Sequence, residues 1–218
     1  MKSRLFLVIA VFPFSVALAL EPTISGKGEE MLSDDFSGAE LGKGWRTQTR
    51  EWKAVDGVMR SKQILADNHS AAARHLLPMQ DGIYQMRFRL VDEGTSFHFG
   101  FSPARGELKK RGHLFSIIVS KAKVTLMKHI DKDKPKEDPN EVLATAAHQF
   151  EVGKWHTLLV EKRGDDVVAQ ILPDGESTKP IVLKATHPTF HVKTPTLVFR
   201  CLGDGVEIDN LKAWKIAQ

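Results

Sequence analysis

The chain has 218 residues, of which 31 are lysine or arginine and 27 are aspartate or glutamate, and its net charge at pH 7 is +4. This basic excess is too small to make the whole protein surface strongly basic. Nucleic-acid binding based on overall charge is therefore excluded. The length lies in the range that all-β sandwiches occupy as one domain. With Cys201 as the only cysteine, an internal disulfide is excluded. Its alternation with Leu197 and Phe199 predicts a buried thiol rather than a nucleophile.

Residues 1–19 have the pattern of a signal peptide. Lys2 and Arg4 precede an apolar run over residues 5–16, and Ala17-Leu18-Ala19 is a small-x-small cleavage site. The run is short for a membrane span, and a retained anchor is the alternative. Cleavage after Ala19 lowers the net charge to about +2. It predicts a secreted or periplasmic protein with no membrane contact.

The next part of the chain combines a polar segment with short strands. Residues 20–30 are polar and contain glycine, which predicts a flexible N-terminus. Met31 to Trp45 then has the pattern of an edge strand, a turn and a loop. In Trp52 to Met59, an Asp-Gly pair between two short runs predicts a tight hairpin. The segment over residues 68–77 is rich in alanine and histidine and fits either a helical turn or a strand.

Two central segments alternate strictly between apolar and polar residues. In GIYQMRFRLVD, which starts at Gly82, Arg87 and Arg89 lie on the polar face. In SFHFGFS, over residues 96–102, three phenylalanines share one face and His98 lies on the other. A period of two predicts strands with one face in the core. The small polar face of the second strand leaves room for a ligand to approach.

The clearest hairpin lies between Gly153 and Gly175. Two alternating apolar runs flank a break at residues 163–166, where Gly164 and two aspartates tolerate a positive φ. An exposed loop is predicted for DKDKPKEDPN, at residues 131–140, because it is charged and contains two prolines. Strands are predicted again near the C-terminus, the last over residues 206–216.

Several of these segments resemble parts of known jelly rolls. The Gly-Lys-Trp-His start of the hairpin at Gly153 resembles concanavalin A-like and laminin-G-like domains. The segments DDFSG, at residues 34–38, and WKAVDGV, at residues 52–58, resemble secreted sandwich domains of the 3-keto-disaccharide hydrolase and family-16 type. Strand patterns recur every ~8–15 residues, which is typical of a sandwich. The resemblance implies an all-β, concanavalin A-like jelly-roll sandwich of two antiparallel sheets over residues 31–218.

The carboxylates of the chain do not fit a standard family-16 active site. A retaining glycosidase needs two carboxyl groups about 5–5.5 Å apart, which that family carries as Glu-x-Asp-x-x-Glu. The segment from Glu207 to Asp209 begins this pattern, but Lys212 replaces the second glutamate. The sequence also lacks the Asn-Ser-Gly strand usual in the 3-keto-disaccharide hydrolase domain, where SFHFGFS stands instead.

Candidate ligand-binding residues come from the polar strand faces. Alternation alone suggests that His98, Arg87, Arg89 and Arg200 share one face. In an enzyme, His98 would act as a base and the arginines would stabilise an oxyanion or sugar oxygens. Trp52 lies near a loop and is a candidate platform for stacking on a sugar ring, as is Trp45, although a core position for both tryptophans is the alternative.

A structural calcium ion is a further hypothesis. Asp35, or Asp34 beside it, near the start of the domain and Asp209 near its end belong to strands that should neighbour each other, and calcium takes carboxylate oxygens as ligands. The alternative is that these aspartates only cap turns. The histidine spacing does not fit a helical zinc pair, because Pro188 interrupts the one such spacing.

Two functions follow from these observations. The first is interaction with carbohydrate on the concave sheet, either as a binding protein or as a hydrolase of a glycosidic or 3-keto-glycoside bond. The second is a non-catalytic, laminin-G-like structural or protein-interaction module. The position of the four basic residues distinguishes them, since a glycan site needs those side chains to converge.

Overall fold

The computed structural model of the protein describes residues 19–47, 52–109, 112–174 and 179–217. The predicted signal peptide therefore lies outside the described residues except for Ala19, and so does Gly175 at the end of the predicted hairpin. None of the helices in the described residues is long and apolar enough to cross a membrane.

The described residues form fifteen strands in two antiparallel sheets. The first sheet contains, in spatial order, β13 (Ile181–Thr186), β12 (Asp166–Pro173), β11 (His156–Arg163), β6 (Gly82–Leu90), β15 (Val206–Ile216), β4 (Val58–Ser61) and β3 (Lys53–Val55), with β1 (Lys27–Asp34) also paired to β15. The second sheet contains β10 (Glu141–Ala147), β9 (Lys123–Lys128), β8 (Phe115–Ser120), β7 (Ser96–Ser102), β14 (Thr196–Leu202), β5 (Ala71–Leu76) and β2 (Trp45–Thr47). Leu65–Asp67 and Pro188–Phe190 are 3-10 turns. The predicted all-β fold of two antiparallel sheets is confirmed.

The two sheets face each other across an aromatic core. The inward side chains of β7 meet those of β6, so that the ring centroids of Phe97 and Phe88 lie 5.5 Å apart and those of Phe101 and Tyr84 lie 5.0 Å apart. All four side chains are buried. The alternation in both segments is therefore confirmed, and it has a consequence for the site. Because β6 and β7 belong to different sheets, their polar faces point away from each other on opposite sides of the sandwich.

The predicted hairpin is formed by β11 and β12. Arg163 pairs with Asp166, which leaves Gly164 and Asp165 as the turn. Gly164 has a φ of 57°, a conformation that glycine adopts without steric cost. The alternating runs place Leu158 and Val167 in the core between the sheets. The hairpin is central to the first sheet because β11 also pairs with β6.

The segment over residues 20–30 differs from the prediction of a flexible N-terminus. Its last four residues, 27–30, are part of β1, which pairs with β15. Leu20 packs on Ile83 and Leu159 on the outer face of the first sheet and is only 4% exposed. Polar residues fix the same segment, since Glu161 accepts hydrogen bonds from the backbone of Thr23 and Ile24 at 2.7 and 2.9 Å. An apolar contact and a buried acceptor on the sheet thus order a segment that is polar in composition.

The Asp-Asn pair in the last strand forms a bulge. The pairing of β15 with β6 shifts register between Asp209 and Lys212, and Asn210 has a φ of 51°. Before the bulge β15 pairs with β4, and after it the same edge of β15 pairs with β1. One long strand therefore holds two short edge strands.

In the ambiguous segment over residues 68–77, the strand alternative is correct, because Ala71–Leu76 forms β5.

Candidate functional site

The outer face of the second sheet presents basic and small polar side chains at its centre. Arg200 of β14 is directly opposite His98 of β7 in the strand pairing. Ser70 accepts a hydrogen bond from Nε of Arg200 at 2.8 Å, and the hydroxyl of Ser96 lies 3.1 Å from Nε2 of His98. Of the four basic residues predicted to share a face, His98 and Arg200 are thus brought together.

A groove of about 660 Å³ lies on this face. We call it the arginine groove and define it by Arg74 of β5, Arg200 of β14, Ser102 at the end of β7, His113 and the loop residues 103–106, 108 and 109. Arg74 pairs with Val198, whereas Arg200 pairs with Ala72. The two arginines are therefore diagonal neighbours on adjacent strands, a separation that long side chains can span.

Two further histidines adjoin the groove and were missed from the sequence. Nδ1 of His113 lies 2.8 Å from the hydroxyl of Ser102, and Nε2 of His129 lies 2.8 Å from the hydroxyl of Ser116. The two rings are 5.3 Å apart and nearly perpendicular. Both histidines lie just outside strands, so strand alternation gave no signal for them. Only the pairing of β7, β8 and β9 places them at one edge of the groove.

Burial and positive charge keep His98 and His113 neutral. Burial, with smaller contributions from Arg200 and His129, lowers the pKa of His98 to about 3. Burial, followed by the charges of His129 and Arg200, lowers the pKa of His113 to about 3 as well. Nδ1 of His98 is buried and has no hydrogen-bond partner among the described residues. At neutral pH each of the two rings therefore has one nitrogen that can accept a hydrogen bond.

Positive charge predominates in the lining of the groove. Its described charged side chains are Arg74, Arg105, Lys109, Lys132, Asp133 and Arg200. None of the five basic side chains forms an ion pair with a described carboxylate, although ion pairs are frequent elsewhere in the structure. Nε of Arg74 is buried without a partner among the described residues. The groove thus presents cationic donors that form no ion pair with the described carboxylates.

Arg87 and Arg89 lie on the opposite side of the molecule, so the prediction that all four basic residues share one face is wrong. Both belong to β6 and project from the outer face of the first sheet. Arg87 forms an ion pair with Asp174 at 2.7 Å, and Arg89 pairs with Glu207. Both guanidinium groups also lie over the ring of Trp155, at 4.9 and 4.8 Å from its centroid. Alternation identifies the polar face of each strand but not the sheet to which the strand belongs.

The two tryptophans proposed for sugar stacking are core residues. Trp52 is 3% exposed and Trp45 is 6% exposed. The ring of Trp45 packs at 5.2 Å from Phe199, and its indole nitrogen donates to Asp34 at 3.0 Å. Trp52 also contacts Phe199, at 6.2 Å between centroids. A stacking platform needs an exposed ring face, which neither side chain offers in this structure.

The aspartates considered for calcium bond to their own neighbours. Asp35 directly follows β1 and Asp209 lies in β15, and these two strands are adjacent as expected. Asp35 accepts from the backbone of Ser37 at 3.0 Å, and these hydrogen bonds lower the pKa of Asp35. Asp209 accepts from the backbone and side chain of Asn210. Within the described ranges no cluster of three or more histidine, cysteine or acidic side chains could hold a metal, and the structural calcium stays a prediction.

Cys201 has the environment predicted for it. The side chain is fully buried in the core. Burial, with a smaller contribution from Asp92, raises the pKa of the Cys201 thiol to about 12. The thiol is therefore protonated and not nucleophilic at neutral pH.

Comparison with known proteins identifies the fold. No protein-family model and no curated protein sequence matches the chain. Among solved structures, the chain is similar to SCLam, a non-specific endo-β-1,3(4)-glucanase from family GH16, with a TM-score of 0.64 and 12% identity over 90% of this chain and 95% of that one. It is also similar to the carbohydrate-binding module CBM66 from Bacillus subtilis, with a TM-score of 0.57 and 16% identity over 79% of this chain and 96% of that one.

A lectin has the same arrangement of strands. Lectin II from Ulex europaeus has a TM-score of 0.56 and 9% identity, over 85% of this chain and 99% of the lectin. A glucanase, a binding module and a lectin thus share one architecture with this protein at identities that establish the fold alone. The chain therefore has the β-sandwich fold of these proteins.

Proposed function

We propose that the protein binds carbohydrate in the arginine groove on the outer face of its second sheet. The observation that carries this proposal is the convergence of Arg74, Arg200, Ser102 and His113 in one groove. Arginine donates through a planar, rigid set of N–H groups, and a hydroxyl can both donate and accept. Such groups suit the hydroxyl-rich edge of a sugar. The carbohydrate-binding module and the lectin of the same fold support this choice of ligand class.

The second candidate function is cleavage of a glycosidic or 3-keto-glycoside bond next to this groove, where His98 lies opposite Arg200. It is favoured by the neutral His98 beside the cationic Arg200, because a neutral imidazole can accept a proton while an arginine stabilises developing negative charge. The two-carboxylate mechanism is not supported here. The outward positions of β5, β7, β8 and β14 carry no aspartate or glutamate, and in the described lining of the groove Asp133 is the only acid.

The place of action that we propose is outside the cytoplasm, after removal of residues 1–19 by cleavage at Ala19. The packing of Leu20 against the first sheet supports this boundary, because the residue that would become the new N-terminus is docked on the folded domain. We expect fractionation of cells that express the full chain to place a protein starting at Leu20 in the periplasm or the medium. Recovery of uncleaved chain with membranes would instead support the retained anchor.

The binding proposal is tested with the chain from Leu20 onward on an array of neutral and charged polysaccharides. We expect saturable binding that His113→Ala and Arg200→Gln each weaken by about tenfold or more, since each variant removes a hydrogen bond to the ligand. His191→Ala is the matched control, because that side chain is 60% exposed and does not line the groove.

Thermal unfolding of each variant confirms that it is folded. If the folded protein binds no glycan, the carbohydrate proposal is wrong and the interaction module replaces it. If it binds, assays of hydrolysis with wild-type and His98→Gln protein on the same ligand separate the two candidate functions. Turnover that is lost in His98→Gln while binding remains would identify an enzyme.

A further inference from the structure

The arginine groove carries an excess of positive charge, which binding of a neutral sugar does not require. Its described lining contains five basic side chains and Asp133, whereas the whole chain carries 31 basic and 27 acidic residues. The groove therefore concentrates positive charge well beyond the average of the protein. A cleft lined by one sign of charge attracts ligands of the opposite sign.

Two of these charged side chains, Arg74 and Arg200, lie on adjacent strands and are partly buried. Arg74 and Arg200 are diagonal neighbours on β5 and β14. Arg200 is partly buried, and its Nε is fixed by the hydrogen bond to Ser70 at 2.8 Å. Partly buried charges without a counter-ion lower the stability of a folded protein. Repulsion between two positive charges on adjacent strands lowers it further. A negatively charged group between the two guanidinium groups would relieve both costs.

The arginines on the other sheet provide an internal comparison. Arg87 has Asp174 at 2.7 Å, Arg89 has Glu207, and Arg60 also pairs with Glu207 at 2.6 Å. The protein thus supplies carboxylates to these three arginines of its first sheet. Arg74 and Arg200 have none among the described residues. This difference indicates that the counter-charge in the groove comes from a ligand.

We propose that the groove selects anionic glycans, with a carboxylate or sulfate group of the sugar held between Arg74 and Arg200. This inference rests on the proposed carbohydrate binding and adds the chemical class of the ligand. A carboxylate and a sulfate group each present two oxygens that can accept two parallel hydrogen bonds from one guanidinium group. The remaining basic side chains, at Arg105, Lys109 and Lys132, would attract the neighbouring charges of a polymer.

The test measures binding of polygalacturonic acid, dextran sulfate and uncharged dextran to the chain from Leu20 onward. We expect at least one of the two anionic polymers to bind about tenfold or more tightly than dextran, and Arg74→Gln and Arg200→Gln each to remove about tenfold of that affinity. Binding of polygalacturonic acid alone would identify a carboxylate, and binding of dextran sulfate alone a sulfate ester.

The matched control is Lys184→Gln, which removes one positive charge from an exposed position on β13. Its affinity for the anionic polymer should stay within about twofold of wild type. Equal losses in Lys184→Gln and Arg200→Gln would show non-selective ion exchange and overturn the inference. A second measurement needs no variant: free glucuronate or glucose sulfate should compete with the bound polymer on the wild-type protein, and glucose should not.

The remaining outcomes separate the two proposals. Equal affinity for dextran and for the anionic polymers would overturn selectivity for anionic glycans and leave carbohydrate binding intact. No binding of any polymer by the folded protein would overturn both.

Discussion

Arg200 and His98 are directly opposite each other in the pairing of β14 with β7, and both lie on the outer face of the second sheet. The guanidinium group contributes to the lowered pKa of the imidazole. A positive charge and a neutral ring nitrogen thus stand side by side next to the arginine groove. This pair combines a cationic donor with a hydrogen-bond acceptor in the described structure.

The low pKa values of His98 and His113 predict loss of stability in acid. Because their folded-state values, near 3, lie below the ordinary value of 6.5, the unfolded chain binds more protons between these limits. The two groups contribute their full stability above about pH 6.5 and lose it as the pH falls toward 3. Each group contributes a slope of at most about 1.4 kcal/mol per pH unit. Urea unfolding at several pH values between 7.5 and 4.5 measures the slope.

His98→Gln should reduce that slope by the contribution of one group. His191→Gln serves as the control, because the His191 side chain is 60% exposed. An unchanged slope in His98→Gln, or an equal reduction in His191→Gln, would contradict the environment described for His98.

Gly100→Ala should destabilise the second sheet. A Cβ atom at Gly100 would lie 2.2 Å from the carbonyl oxygen of Phe115 and 2.5 Å from the hydroxyl of Ser116. Since one of these atoms belongs to the backbone of the neighbouring strand, the sheet itself must move, and we expect a loss of about 1–3 kcal/mol in the free energy of unfolding. Gly42→Ala is the control, because its Cβ would meet nothing within 4 Å. Chemical denaturation should show a smaller effect there.

The ordered N-terminal segment predicts a coupling between Glu161 and residues 20–26. Glu161 is fully buried and accepts hydrogen bonds from the backbone of Thr23 and Ile24. Glu161→Ala should cost about 1–3 kcal/mol in the chain that starts at Leu20, because it leaves three donors unpaired, the backbone N–H groups of Thr23 and Ile24 and the Thr23 hydroxyl. In a chain that starts at Lys27 those donors are absent, and the cost should be much smaller. A double-mutant cycle from urea unfolding gives the coupling energy, and additive effects would contradict the contact.

Leu20→Ala should destabilise the chain from Leu20 onward by about 2 kcal/mol, since the side chain packs on Ile83, Leu159 and Leu172. Thermal unfolding of the two proteins measures the change. Val182→Ala is a suitable control because Val182 is 43% exposed. No difference between Leu20→Ala and wild type would show that the N-terminus is not docked in solution.

Arg87→Ala should leave glycan binding unchanged and reduce stability slightly. Arg87 lies on the first sheet, away from the groove, and contacts Asp174 and Trp155. Because its side chain is 37% exposed, the ion pair and the ring contact together should contribute only about 0.5–1 kcal/mol. Polymer affinity and urea unfolding of the same variant test both parts. A loss of affinity comparable to that of Arg200→Gln would show that the ligand also contacts the first sheet.

The sequence alone determined the fold class and the buried face of each central strand. Alternation in the segments around Phe88 and Phe99 depends only on neighbours along the chain, so it could be predicted from residue order. The turn at Gly164 and the buried thiol of Cys201 were predictable for the same reason. In each case the physical cause is local: side chains alternate across a strand, and glycine tolerates a positive φ.

Tertiary structure decided which strands share a sheet, and hence the site. Arg87 and His98 have the same local pattern, but β6 joins the first sheet and β7 the second, so their polar faces diverge. Pairing of strands that are far apart in sequence also brings Arg74 and His113 to Arg200. Packing between distant segments likewise docks Leu20 on β11. These contacts join segments that are far apart in the chain, and even Arg74 and His113 are separated by 39 residues. No local pattern in the sequence therefore encodes them.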